Sequence, residues 1–282
     1  MSSAQYPNRP QIILGTLNIG DASIDNEIQV STPEEVKTFL DEFYNRGYRR
    51  LNTARPYPPS AFGTSEPRVG QANQDDTLEA MDAFHKEGKF KHLGISNYLP
   101  DEVEQIMAIC ADKQLTPPVA YQGFYNPITR EAETELLPVL RKHGIALYAY
   151  SPAAGGVFSD EQRPNNRFKS KTMVGNFYME MYNRPAIKSA VEIVKKVARA
   201  HGIPPHNAAM RWVVYHSHLS AAHGDAVVLG ASNVEQLRKN LDAIDAGPLP
   251  QEVADALSAV GDAVGEENRK AHRFTTESIS NM

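Results

Sequence analysis

The sequence has little of several features that would assign it to other classes of protein. Among its 282 residues Cys110 is the only cysteine, so no disulfide can form within the chain and a reducing compartment is expected. Lysine and arginine number 29 against 34 acidic residues, and this balance argues against nucleic acid as the main partner, because phosphate neutralisation needs clustered cations. The sequence contains no run of eighteen apolar residues and no apolar segment typical of a signal peptide near residue 1. We therefore expect a cytoplasmic protein without a membrane span.

Apolar runs alternate with helical patterns along the whole chain, and a hydrophobic content of 41% is enough to fill a core. The predicted strands are 12–14, 48–53, 92–96, 119–122, 145–150 and 226–229. The clearest predicted helices are 33–46, 77–87, 131–143 and 187–201. Thr32, Pro33 and Glu35 form the capping box that starts the first of these helices. In the second helix Leu78, Met81 and Phe84 are predicted to face the core.

This alternation predicts parallel strands with crossover helices, in either a barrel or a doubly wound sheet. A doubly wound dinucleotide fold carries G-x-G-x-x-G after its first strand, and the segment 14–20 (LGTLNIG) lacks that pattern. Polar, glycine-containing segments instead follow several different strands, as expected where a barrel builds its site from many loops. The sequence therefore favours an α/β fold of the (β/α)8 TIM-barrel type.

Five segments after these strands carry the functional signal. They are NTARPY (52–57), GISNY (94–98), QGFYN (122–126), YSPAAGG (150–156) and GASNVEQLRKN (230–240). Together, and in this order, they resemble the aldo-keto reductases, with the most similar pattern in the aflatoxin-aldehyde-reductase-like branch and its fungal relatives. The resemblance makes the chain, 1–282, a single barrel domain. It implies an NADPH-dependent oxidoreductase that reduces a small aldehyde or ketone to an alcohol, with fungal secondary metabolism as one setting.

The resemblance also assigns a set of residues to the cofactor, NADP. Ser96, Asn97 and Gln122 match the positions that hydrogen-bond the nicotinamide carboxamide, since amide side chains offer both donors and acceptors. Tyr150 matches the aromatic residue that stacks on the nicotinamide ring. The pyrophosphate loop and the adenine and 2′-phosphate end match Ser151, Pro152, Gly155, Gly156, Gly230, Ser232, Asn233, Gln236, Arg238 and Asn240, with Arg238 or Lys239 adding positive charge. No acidic residue stands where an NAD-preferring site would hold the ribose, so NADP is the expected form.

Each of these residues also has an ordinary structural interpretation. Gly155 and Gly156 suit a simple turn, and Asn97 suits a helix cap before Pro100. The ordered set on successive strand ends favours the cofactor interpretation over these. The segment 157–185 has few apolar periodicities, and we expect either a lid over the cofactor or a merely mobile insertion.

The catalytic positions are where the chain departs from the family pattern. Family members protonate the carbonyl oxygen with a tyrosine, matched here by Tyr57, and a buried Asp–Lys pair assists it because a free tyrosine has a pKa of about 10. Asn52 stands at the Asp position and cannot ionise. The strands that carry the Lys and an orienting histidine are missing, because 71–76 runs directly into the following helix. We therefore predict six barrel strands, with an open gap between the strands 48–53 and 92–96.

Two functions stay open on the sequence alone, with a cofactor-free lyase or isomerase as a more distant third. The first is an NADPH-dependent reductase in which the apparent deletion near 71–76 reflects altered machinery or a skipped exon. The second is a catalytically degenerate member that kept the cofactor grooves as a nucleotide-binding or interaction protein. None of the nine histidines is placed to replace the missing one, and no metal site is predicted.

Overall fold

The computed structural model describes residues 6–16, 19, 30, 32–52, 74–159 and 173–264. Its strands are β1 (Gln11–Gly15), β2 (Arg50–Asn52), β3 (Gly94–Ser96), β4 (Ala120–Phe124), β5 (Ala146–Tyr150) and β6 (Ala226–Leu229). Its α-helices are α1 (Pro33–Asn45), α2 (Gln74–Lys86), α3 (Pro100–Asp112), α4 (Leu136–Lys142), α5 (Met173–Tyr182), α6 (Pro185–Ala200), α7 (Pro205–Tyr215), α8 (Val234–Asp245) and α9 (Gln251–Ala263). This is the strand–helix alternation that the sequence predicts.

The six strands form one parallel sheet in the order β2-β1-β6-β5-β4-β3. Strand β1 lies between β2 and β6, with Ile13 opposite Arg50 on one side and Val228 on the other. Strands β2 and β3 are the outer strands of this order, and no ladder joins them within the described residues. The predicted α/β fold of the barrel type, with six strands in place of eight, is confirmed, and the predicted gap between β2 and β3 agrees with the described part of the sheet.

Side-chain contacts across the sheet show how strongly it curves. Neighbouring strands lie about 4.8 Å apart, so a flat sheet would hold β2 and β4 about 19 Å apart, four spacings away. Yet the Asn52 amide on β2 donates to Gln122 Oε1 on β4 over 2.6 Å. One layer below, Arg50 Nη1 donates to the Tyr148 hydroxyl on β5 over 3.4 Å. The sheet therefore curls around an interior, as a barrel wall does.

Alternate residues of each strand enter two different environments. Outward side chains pack beneath the helices in the main core, and these are Ile12, Leu14, Tyr121, Leu147, Ala149, Val227 and Leu229. Inward side chains form a separate small cluster of Ile13, Ala226 and Val228 with Tyr148 and Tyr150. Leu51, on the outer strand β2, is 53% exposed. The interior is thus lined by a mixture of apolar and hydroxyl-bearing groups, which suits a binding site better than a dry core does.

Helix α1 begins as predicted, with a reciprocal capping box between Thr32 and Glu35. The predicted helix 131–143 is wrong as one element, because the structure has a short 3-10 turn at Glu131–Glu133 and then α4. The cause is Pro138, which has no N–H to donate to the Thr134 carbonyl and whose ring excludes a helical carbonyl there.

Two further expectations need correction. Phe84 on α2 is 49% exposed, although its spacing predicts a core position, because α2 packs against Ile106 and Cys110 of α3 through Leu78 and Met81 instead. The segment 157–185 is not structureless, since α5 occupies Met173–Tyr182 and buries Tyr178, Met181 and Tyr182. These three residues follow the spacing i, i+3, i+4, which is the signal that the sequence analysis missed.

Asp82 fastens α2 to the loop after α3 and makes a pH-dependent contribution to stability. Its carboxylate pairs with Lys86 at 2.6 Å and accepts from the Thr116 backbone N–H and hydroxyl. The Lys86 ammonium first, and then Thr116, lower the pKa of Asp82 from 3.8 to about 2.

A carboxyl with a depressed pKa stabilises the fold above its unfolded pKa and stops doing so as the pH falls through its folded pKa. We therefore expect urea unfolding curves of Asp82→Asn to lose part of the pH dependence that the wild type shows between pH 3.8 and about 2. Lys86→Met keeps the Thr116 bonds and should give an intermediate profile. If the free energy of unfolding changed with pH equally in the wild type and in Asp82→Asn, this role would be contradicted.

Candidate functional site

Because all six strands are parallel, their carboxyl ends lie at one edge of the half-barrel, where such folds place their sites. The predicted residues reach this edge from β2, β3, β4, β5 and β6. Among the described residues no group of three or more His, Cys, Asp or Glu side chains could hold a metal ion. The helices of the described ranges also include none long and apolar enough to cross a membrane.

Asn52, Gln122 and Ser96 come together at this edge. Asn52 Nδ2 donates to Gln122 Oε1 over 2.6 Å. Gln122 is paired in register with Ser96 on β3, so both side chains project from the same face of the sheet. The structure thus joins the predicted catalytic position Asn52 to two predicted carboxamide-binding residues.

Asn97 and Tyr150 lie beside this group. The Tyr150 hydroxyl donates to Asn97 Oδ1 over 3.3 Å, and the Tyr150 ring packs on Phe124 with centroids 4.2 Å apart. Asn97 has φ 64°, a left-handed conformation that places its side chain at the strand end, and Leu99, not Asn97, is the cap of α3. The helix-cap alternative for Asn97 is therefore wrong.

The turn after β5 is held in an unusual backbone conformation. Ser151 and Ala154 have φ 56° and 50°, and Gly155 and Gly156 have φ 66° and 97°. Left-handed conformations of residues other than glycine cost energy and persist only where the surroundings enforce them, often at binding sites. A Cβ added at Gly156 or Gly230 would meet no other atom of the described residues within 4 Å, so these residues leave the backbone at both positions open to approach.

Tyr178 on α5 covers the first part of this turn. Its hydroxyl is 2.7 Å from Ser151 Oγ, and its ring lies against Gly155 where a Cβ would be. Sequence reasoning assigned no role to Tyr178. It is buried, and it links α5 to two residues predicted to bind the pyrophosphate.

The segment after β6 forms a closed set of hydrogen bonds at the start of α8. Asn233 caps the helix by accepting from the Gln236 backbone N–H over 2.8 Å. Gln236 Oε1 accepts from the Ser232 backbone N–H and hydroxyl. Buried Asn240 donates to the Gly230 carbonyl over 3.1 Å. These contacts fix the turn that the resemblance assigns to the adenine and 2′-phosphate end.

The two basic residues predicted near this end are both held in ion pairs. Arg238 Nε donates to Glu42 on α1 over 2.7 Å, and the Arg238 bond, with Arg46 assisting, lowers the pKa of Glu42. Lys239 pairs with Glu235 at 2.9 Å, one turn earlier on α8. Arg238 is therefore directed to α1, and sequence reasoning could not detect this because Glu42 lies 196 residues away.

Other predicted features lie outside the described residues. These are Tyr57, residues 71–73 of the apparent deletion, and residues 160–172 of the expected lid. The assignment of the described residues to a cofactor stays a prediction.

The comparison with known proteins decides the family. The sequence profile of the aldo/keto reductase family matches residues 73–262. This chain belongs to that family. Membership supports an oxidoreductase function, and family members of this kind act on carbonyl compounds with NAD(P)H.

Relatives of the family member described here come from mammals and fungi. Human aflatoxin B1 aldehyde reductase member 2 is 40% identical over 284 residues, covering 91% of this chain and 76% of the relative. An aldo-keto reductase of Pseudocercospora fijiensis is 40% identical over 189 residues, and the match covers 64% of each chain. Oxidoreductase sirO of Leptosphaeria maculans is 30% identical over 324 residues, covering 95% of this chain and 98% of the relative. The predicted resemblance to aflatoxin aldehyde reductases and fungal relatives is confirmed.

The alignment with the Leptosphaeria maculans protein runs over 324 residues, more than the 282 residues of this aldo/keto reductase family member. It therefore includes positions that have a residue in the relative and none in this chain. This agrees with a sheet of six strands where the family barrel has eight.

Proposed function

We propose that this chain binds NADP(H) along the carboxyl edge of the half-barrel and reduces an aldehyde or ketone to an alcohol. The main support is the convergence of Asn52, Gln122 and Ser96 at that edge, beside Asn97 and Tyr150. A nicotinamide carboxamide has two donor hydrogens and an acceptor oxygen, and amide and hydroxyl side chains complement both kinds of group. The dinucleotide fits this donor set.

The phosphate end of the cofactor has different support. Gly156 and Gly230 leave the backbone open, so its N–H groups can approach a pyrophosphate. The amino end of α8 adds a partial positive charge at the adenosine end. The preference for NADP over NAD is a separate part of the proposal. The basic residues predicted to meet the 2′-phosphate, Arg238 and Lys239, form ion pairs with Glu42 and Glu235 in the structure.

When bound, the dinucleotide supplies a hydride to the carbonyl carbon. The chain's own tasks are to hold the carboxamide, to orient the ring beside Tyr150, and to deliver a proton from the Tyr57 hydroxyl to the carbonyl oxygen. Asn52 cannot provide the negative charge that assists this proton transfer in the family, and positioned acid–base assistance commonly contributes about 10²–10⁴ in rate. We therefore propose a slow reductase.

A second candidate function is nucleotide binding without turnover. It is favoured by the contact of Asn52 with Gln122. Asn52 stands where family members have the aspartate that assists the catalytic tyrosine, and here it binds the amide of Gln122 instead. The 324-residue alignment with the Leptosphaeria maculans protein includes residues that this chain lacks, as both a deletion and a skipped exon would produce. A cytoplasmic location and a role in fungal secondary metabolism belong to the proposal, on the support of the single cysteine and the fungal relatives.

One experiment separates the two functions. NADPH is titrated by fluorescence, and its oxidation is then followed with a panel of aldehydes, since the human relative is named for reducing one. We expect saturable binding and turnover about 10²–10⁴ below that of a complete relative assayed alongside. Tyr57→Phe should bind NADPH as before and abolish the turnover. Ser65→Ala, eight positions further along the sequence, is the control.

Each outcome has a definite meaning. Binding without turnover on the whole panel supports the non-catalytic function and contradicts the reductase. Absence of NADPH binding contradicts both. Turnover that survives in Tyr57→Phe shows that another group is the acid.

A further inference from the structure

We infer that Asn52 is a positioning residue for the cofactor, because its amide fixes which hydrogen-bonding group of Gln122 faces the nicotinamide carboxamide. The inference rests on the proposed cofactor site. It adds to that site the direction of one hydrogen bond, between Gln122 and the carboxamide, which depends on the residue at position 52.

The backbone of Asn52 is held firmly in place. It is paired in register with Gly15 on β1. Its carbonyl accepts two hydrogen bonds from Thr16, one from the backbone N–H and one from the hydroxyl, each of 3.0 Å. Asn52 therefore presents its side chain from a fixed point on the inner face of β2.

The contact with Gln122 consumes one side of the Gln122 amide. Asn52 Nδ2 donates to Gln122 Oε1 over 2.6 Å, so the two side chains are in direct contact. A glutamine amide has one acceptor oxygen and one donor nitrogen. With Oε1 held by Asn52, the Gln122 Nε2 group is the one turned to the cofactor, and the cofactor must meet it with the carbonyl oxygen of its carboxamide.

An aspartate at position 52 reverses this arrangement. A carboxylate accepts only, so Gln122 would turn its Nε2 to residue 52 and its Oε1 to the cofactor. The cofactor must then offer the NH₂ of its carboxamide. Asparagine and aspartate have nearly the same size and shape, so Asn52→Asp changes the polarity of the contact with little change in packing.

The relative affinities for two cofactors measure the direction of this hydrogen bond. NADP⁺ carries a carboxamide, and its 3-acetylpyridine analogue keeps the carbonyl oxygen but has a methyl group in place of NH₂. In the wild type the analogue loses only the contacts that Ser96 and Asn97 make with the NH₂. In Asn52→Asp we expect the analogue to lose a further factor of about three to ten in affinity relative to NADP⁺, which is the range of one net hydrogen bond.

Two further variants make the test independent of one substitution. Gln122→Glu accepts only, so it should disfavour the analogue in the same direction as Asn52→Asp. Leu51→Ala is the matched control, because Leu51 is the neighbour of Asn52 on the outward face and is 53% exposed. Thermal unfolding of each variant identifies those that fold, and Gln122→Glu decides the question if Asn52→Asp does not fold.

The outcomes separate the inference from the proposed function. A wild type that binds neither dinucleotide contradicts the proposed cofactor site and the inference together. Binding of NADP⁺ with an unchanged ratio in the folded variants overturns the inference alone. A ratio that shifts toward the analogue in either variant also overturns it.

Discussion

Asp225→Ala should destabilise the fold by about 3–5 kcal/mol, the usual cost of removing one partner from a buried ion pair. Asp225 is fully buried, and Arg141 on α4 donates to both its carboxylate oxygens over 2.9 and 2.6 Å. The same carboxylate accepts from the backbone N–H groups of Leu147 on β5 and Ser220 before β6. The substitution leaves the Arg141 charge and two N–H groups without their acceptor.

Urea unfolding at neutral pH measures this effect. Asp41→Ala removes an exposed ion pair with Lys37 on α1, and as a control it should change stability by less than about 1 kcal/mol. Asp225 lies at the amino end of β6, opposite the proposed site, so folded Asp225→Ala should retain the NADPH affinity of the wild type. A loss below about 1 kcal/mol would show that this carboxylate does not unite α4, β5 and β6.

Gly155→Ala should cost about 2–5 kcal/mol and loosen α5 from the turn after β5. A left-handed backbone costs alanine about 1–2 kcal/mol, and overpacking adds about 1–3 kcal/mol. Gly155 has φ 66°, and an added Cβ would overlap the ring of Tyr178. The ring must then move away from Ser151, whose Oγ it reaches at 2.7 Å.

Two variants separate the backbone cost from the steric cost. Gly156→Ala also introduces alanine at a positive φ, of 97°, where the described part of the chain places no atom within 4 Å of the new Cβ. It should show only the backbone part of the effect. Adding Gly155→Ala to Tyr178→Ala should lower the free energy of unfolding by less than adding Gly155→Ala to the wild type does. Limited proteolysis and urea unfolding measure these differences, and equal costs in the two backgrounds would exclude a clash with Tyr178.

The strands could largely be predicted from the sequence, and the reason is physical. Strands such as Ala226–Leu229 are buried on both faces, so each is a short apolar run bounded by glycine or polar residues. The capping box of Thr32 and Glu35 is equally local and was predicted correctly. The break before α4 was predictable from Pro138 and was overlooked.

The interactions within the candidate site could not be predicted in the same way. Asn52 and Gln122 are 70 residues apart, and Arg238 and Glu42 are 196 apart, so no local pattern relates either pair. The family resemblance indicated which residues gather at the carboxyl edge. It did not indicate that Arg238 is directed to α1 or that Asn52 bonds to Gln122, because both contacts depend on the residues that this chain has at positions 42 and 52.

The position of β1 between β2 and β6 has a consequence for how the protein is made. During synthesis β1 leaves the ribosome well before its partner β6, which spans Ala226–Leu229 and follows more than two hundred residues later. Until then β1 can pair only with β2, and a pair of strands is not stable alone in water. The strands β3, β4 and β5 adjoin one another in both sequence and sheet, so they can assemble before β6 is complete. The pairing of β1 with β6 therefore completes the sheet. Because it joins residues far apart in the sequence, we expect it to be a slow step in folding.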